Sequence, residues 1–161
     1  MQLMTERFGP VEIDPAEIWE VPEGIPGFPA LRRVVLLGAG TVPGQAMPEA
    51  HHSMFWLQDI DDPATAFLCI QPWTVFPEYD FEFDAVSLDI AHPDEVSVLT
   101  LVTVVRGEGA MTMTTNLRAP LVVDTERRRM HQVILTDQRW AVREPFATTD
   151  KGELGRAEGA E

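Results

Sequence analysis

The chain has 161 residues, one domain's worth, and 45% of them are apolar, an ordinary globular level. Its 12 Lys and Arg face 26 Asp and Glu, a formal charge of −14. Nucleic-acid affinity comes largely from basic side chains displacing counterions, so this balance excludes direct RNA or DNA binding and argues equally against an anionic membrane surface. It favours a basic protein partner, with plain solubility an equal reading of the same charge.

The first residues, Met1 to Phe8, place Glu6 and Arg7 where a secretory signal needs an apolar stretch, so a cytoplasmic location is expected. Val11-Glu12-Ile13 alternates as a strand does. Asp14-Pro15-Ala16-Glu17 reads as an N-cap, a first-turn proline and an acidic residue, but Pro22 limits any helix to one or two turns. Glu23 to Pro29 is a loop that its glycines and prolines shape. Val34 to Leu37 is a buried-type strand, and Gly38 to Ser53 a long loop. Phe55 to Gln58 and Ala66 to Ile70 are strands around the turn Asp61-Asp62-Pro63. The one cysteine, Cys69, lies in the second of these, so no disulfide forms within the chain and a reducing compartment suits it.

Pro72 stops that strand. Asp84 to Ile90 predicts a short helix ended by Pro93. Val96 to Val105 is a long β-branched strand, far short of a membrane span. Met111 to Thr114, Leu121 to Val123 and Val133 to Leu135 follow, and Trp140 to Val142 is expected to end the sheet. Apolar residues thin out after Phe146, so residues 1–146 are expected as the domain and 147–161 as a disordered acidic tail. Many short strands at close spacing predict an all-β sandwich or barrel with minor short helices.

Little in the chain reads as reaction chemistry. The neighbours His51 and His52 point to opposite faces of an extended chain, and no Cys or helically spaced His joins them. Asp59, Asp61 and Asp62 lack the calcium-loop pattern and read as a turn. No phosphate-cradling glycine loop or nucleophile elbow occurs. His92 and His131 have no motif around them, and Arg127-Arg128-Arg129 reads as a solvated hairpin turn. No catalytic residue, metal or cofactor is expected. The stretch Phe76-Pro77-Glu78-Tyr79-Asp80-Phe81 mixes aromatic anchors with acids, as interfaces do, although Phe76 and Phe81 serve equally well as core.

One ordered set of motifs carries a resemblance. It runs from Phe8-Gly9-Pro10-Val11-Glu12-Ile13 to Glu23-Gly24-Ile25-Pro26-Gly27-Phe28, then through Phe55-Trp56-Leu57-Gln58, Asp61-Asp62-Pro63, Ala66-Phe67 and Pro72. Phe76-Pro77-Glu78-Tyr79, the stretch Thr115 to Val123 and Gln132 to Leu135 complete it. Over about residues 2 to 146 the chain resembles the bacterial flagellar assembly factor family FliW. The Gly38 to Ser53 loop is long for that family, the triple Arg replaces a glycine-containing turn, and the acidic tail is extra.

The resemblance implies a β-barrel-like fold and no catalysis. It implies two protein partners, flagellin and the RNA-binding translational regulator CsrA, whose repression of flagellin synthesis is lifted once flagellin is exported. A flagellin-specific export chaperone without a regulatory role is the alternative. A small-molecule-binding barrel or enzyme is the third reading, and it would need a polar-lined pocket with converging titratable groups. The residues expected to meet partners are Gln58, Asp59, Asp61 and Asp62 at one strand-turn, Phe76, Glu78 and Tyr79 at the aromatic-acidic stretch, and Asn116 near a strand end. Phe28, Trp56, Trp73 and Pro120 are expected as core or loop scaffolding.

Overall fold

The computed structural model describes residues 1–40 and 53–149. His51-His52 and most of the long loop therefore lie outside the described residues. Strands β1 (Gln2–Thr5) and β2 (Gly9–Glu12) form a separate hairpin. The main sheet contains β3 (Trp19–Glu20), β4 (Arg33–Gly38), β5 (Met54–Asp59), β6 (Ala66–Ile70), β7 (Ser97–Arg106), β8 (Met111–Thr115), β9 (Leu121–Asp124), β10 (Arg129–Gln132) and β11 (Glu144–Thr149).

Strand β7 closes this sheet into a ring because it forks. Its middle pairs with β6, while its first residues, Ser97 to Leu99, pair with β9. The ring then runs through β5, β4, β3 and β10 back to β9. Every pairing in it is antiparallel except the single parallel contact of Arg129 with Glu20. The last half of β7, Val102 to Arg106, pairs with β8, and β11 is added outside β8. A β-barrel-like ring thus carries a short outer sheet.

Alternation along the strands explains both layers. Val34 and Leu36, Phe55 and Leu57, Phe67 and Cys69, and Leu99 and Leu101 all turn into the ring, where Leu121, Val123 and Met130 meet them. Their neighbours Met54, Trp56, Leu68 and Ile70 turn outward and are covered by Met111 and Met113 of β8. Strand β5 is therefore buried on both faces, which is why it reads as a nearly continuous apolar run. The β1–β2 hairpin lays Leu3 and Ile13 against Val35 on the outside of β4.

Several expectations are corrected. Val133 to Leu135 is no regular strand: Pro120, opposite Val133, has no N–H with which to return a ladder bond. Trp140 to Val142 does not end the sheet. Trp140 is buried beside Tyr79, and the final strand starts at Glu144. Asp84 to Ile90 forms successive turns rather than a helix, because Asp89 adopts a φ of 58° and breaks the repeat. Strand β11 runs on past residue 146, with Ala147, Thr148 and Thr149 paired to Met113, Thr112 and Met111. Residues 150–161 lie outside the described residues. At Asp14 the expected cap is present: its carboxylate accepts from the Ala16 N–H over 2.9 Å, ahead of a short 3-10 helix, Pro15–Glu17. Among the described residues no helix is long and apolar enough to cross a membrane.

Candidate partner-binding surface

The β5–β6 turn is built from its polar residues inward. The Gln58 amide nitrogen donates to the carbonyls of Asp59 at 3.1 Å and Thr65 at 3.2 Å, with those of Asp62 and Pro63 at 3.4 Å. Gln58 is fully buried, so its side chain holds the turn from beneath and does not reach solvent. Asp59 is also buried, and its carboxylate accepts from the Asp61 N–H at 2.8 Å. Burial raises the Asp59 carboxyl above the usual carboxylate range, because the charged form loses water. Asp62 is pulled below that range by the Thr65 hydroxyl, 2.7 Å away, and by the Ala64 N–H. Asp61 is half-exposed and binds Arg33 at 2.6 Å. The turn therefore shows Asp61 and Asp62 to solvent and keeps Gln58 and Asp59 as its frame.

Beside these acids stands a residue that sequence reasoning assigned to scaffolding. Phe28 is 45% exposed, at the tip of the Gly-Pro loop, and its ring meets Phe67 edge-on at 4.7 Å. Gly27, with φ at 87°, and Gly24, with φ at 65°, turn the loop, and a Cβ on Gly24 would stand 2.9 Å from the Phe28 carbonyl oxygen. A groove of 360 Å³ runs between Phe28, Pro29 and Leu31 on one side and Asp59, Asp61 and Asp62 on the other. An exposed aromatic beside Asp62, which no cation among the described residues neutralises, and Asp61, which Arg33 pairs, suits a partner presenting an apolar side chain flanked by Lys or Arg. The available signal was an aromatic held between prolines at a glycine turn, where no strand could bury it.

The second expected stretch divides in the same way. Tyr79 is buried, its hydroxyl donates to the Leu117 carbonyl at 2.6 Å, and burial pushes its phenol well above the ordinary value. Its ring meets Trp140 edge-on at 4.9 Å. Phe76 packs against the same cluster, so both aromatics act as core, and of the three residues Glu78 alone is exposed. The half-buried Asn116 accepts from the N–H groups of Arg118 and Ala119, both at 3.1 Å, and so caps the turn into β9. Of the other scaffolding residues, Trp56 and Pro120 are buried, whereas Trp73 is 43% exposed and donates to the Tyr79 carbonyl.

The basic run is not a freely solvated turn. Arg127 and Arg129 both reach the carboxylate of Asp89, and the Arg128 guanidinium lies 4.1 Å over the Trp19 ring. Its cations are largely spent within the molecule. Among the described residues no three His, Cys, Asp or Glu side chains converge as a metal set.

Comparison with known proteins matches residues 2–146 to the family model described as FliW protein. A flagellar assembly factor FliW from Magnetococcus marinus is 34% identical over 149 residues, covering 91% of this chain and 85% of the relative. One from Caldanaerobacter subterraneus is 32% identical over 158 residues, covering 98% of this chain and 100% of its own. A crystal structure of the flagellar assembly factor FliW superimposes with a TM-score of 0.72 at 28% identity, covering 90% of this chain and 96% of that one. A matching model over nearly the whole described length, relatives matched over most of their own length and a solved structure of similar fold lead to one conclusion: the chain belongs to the FliW family of flagellar assembly factors.

Proposed function

We propose that this chain binds flagellin and, when flagellin has been exported, binds a CsrA-type regulator and relieves its repression of flagellin translation. The observation that supports this reading is the exposed aromatic-acidic groove at Phe28, Asp61 and Asp62, on a body of net charge −14. A translational regulator needs a basic surface for RNA. An acidic body docked beside that surface disfavours incoming phosphates without filling their site. Screening confines the effect to about 8 Å at physiological salt. The acids must therefore lie close to the RNA path. Asp61, Asp62 and Glu78 are the exposed members of the proposed contact set; Gln58 and Asp59 frame the first two, Phe76 and Tyr79 are the buried neighbours of Glu78, and Asn116 caps the turn into β9. The chain needs no catalysis and no cofactor for this role.

Calorimetric titration with the same organism's flagellin and, separately, its CsrA tests the reading. Tight binding to both is expected, weakened by added salt for the regulator. Binding to flagellin alone would reduce the role to an export chaperone, and binding to neither would overturn it. Substituting Asp61 and Asp62 by asparagine tests the mechanism: if the regulator still loses its RNA as readily, the electrostatic route is wrong.

A further inference from the structure

Beyond β10 the chain continues as half a ladder. The Val133 N–H donates to the Pro120 carbonyl at 2.9 Å and the Leu135 N–H to that of Arg118 at 2.7 Å. Ile134 lies between them, and among the described residues neither its N–H nor its carbonyl has a partner. Successive amides of an extended chain point to opposite sides, so the Ile134 pair faces away from the 118–120 segment. A groove of 530 Å³ opens here, between residues 80–84 and residues 133–137.

The lining of that groove states what would fill it. Phe81, Phe83 and Ile134 supply apolar surface, and Ile134 is 62% exposed. Asp80, Glu82, Asp84 and Asp137 surround them, against a single Arg139 that Asp137 already binds at 2.7 Å. A second copy of this chain is a poor occupant, because two bodies of charge −14 repel each other. We propose that the groove receives an extended segment of a partner protein by strand addition at Ile134, a segment alternating apolar side chains with Lys or Arg. Backbone bonds to the Ile134 amide and carbonyl would fix its register, and its basic side chains would meet the acidic rim. At about 3.3 Å per residue the five residues 133–137 span enough length for a segment of similar size. The groove shares no lining residue with the one at Phe28, and the inference depends on neither partner named above.

The test uses a fluorescein-labelled peptide of alternating lysine and valine, followed by anisotropy against the full chain at low and high salt. Binding is expected at low salt. A peptide of equal charge interrupted by proline should bind at least about tenfold more weakly, since it cannot form the ladder. Glu82→Lys with Asp80→Lys should lose a similar factor; both side chains are exposed and, among the described residues, neither holds a hydrogen bond, so the fold stays intact. Exchange of the Ile134 amide with deuterium should slow when the peptide saturates. No binding, equal binding of the proline-interrupted peptide, or an unchanged Ile134 amide at saturation would each overturn the proposal. Because flagellin and CsrA are titrated separately, a chain that binds both but not the peptide sinks only the groove. A chain that binds only the peptide sinks only the regulatory reading.

Discussion

At the scale of single residues, polar groups facing inward decide how the acidic surface is held. Tyr79 is the clearest case, with its ring against Trp140 and its hydroxyl on the Leu117 carbonyl. Tyr79→Phe keeps the ring and strands that carbonyl, and should cost about 1–3 kcal/mol in urea unfolding. Burial pushes the Cys69 thiol up to about 12, so it should resist thiol reagents in the folded chain and react only on unfolding, a difference that a labelling time course reads directly. His92 behaves oppositely: it is exposed, and its hydrogen bond to Glu126 at 2.8 Å raises its pKa. A histidine raised in the folded state contributes its full stabilisation below the unfolded value of about 6.5 and loses it as pH climbs through the raised value. Wild type should therefore lose slightly more stability than His92→Ala between mildly acidic and neutral pH, and parallel denaturation series would show it.

At the scale of elements, the sequence was most informative where period and burial coincide. Strands β4 to β9 follow from alternating or continuously apolar runs, because each faces the ring interior, the covering sheet, or both. It misled where a distant residue decides the outcome. Val133 to Leu135 has a strand's composition, yet Pro120 opposite it withholds a donor. Strand β11 includes Pro145 and ends in small polar residues, so nothing local marks it; the free edge of β8 makes it a strand. The candidate site shows the same limit. The turn was legible at Asp61-Asp62-Pro63, but that Gln58 lies beneath it and Phe28 beside it depends on contacts between separate elements. Gly24 is where a single side chain should break an element. With φ at 65° and the Phe28 carbonyl and Pro29 Cα close by, Gly24→Ala should cost about 1–3 kcal/mol by thermal or chemical unfolding and disorder the Phe28 loop.

At the scale of the whole molecule, charge and closure act together. The ring buries the apolar faces of β4, β5 and β6 from both sides, leaving the excess of acids on the outside. Such a field should set encounter rates more than it sets the strength of the final grip. Stopped-flow association with a basic partner should slow steeply as salt rises, while dissociation changes little; equal slowing of both would argue against steering.

The fork in β7 also sets an order in time. Its first half waits for β9, and β10 must still reach back to the opening of the chain, where Arg128 bonds to the Ile18 carbonyl 110 residues earlier. A ribosome adding about 5–20 residues per second delivers those pieces last. Until they emerge, β3 and β7 expose unpaired edges and the interior stays wet. The barrel is therefore closed late in synthesis: a truncated or stalled chain that lacks β9 and β10 leaves the edges of β3 and β7 unpaired and the ring open.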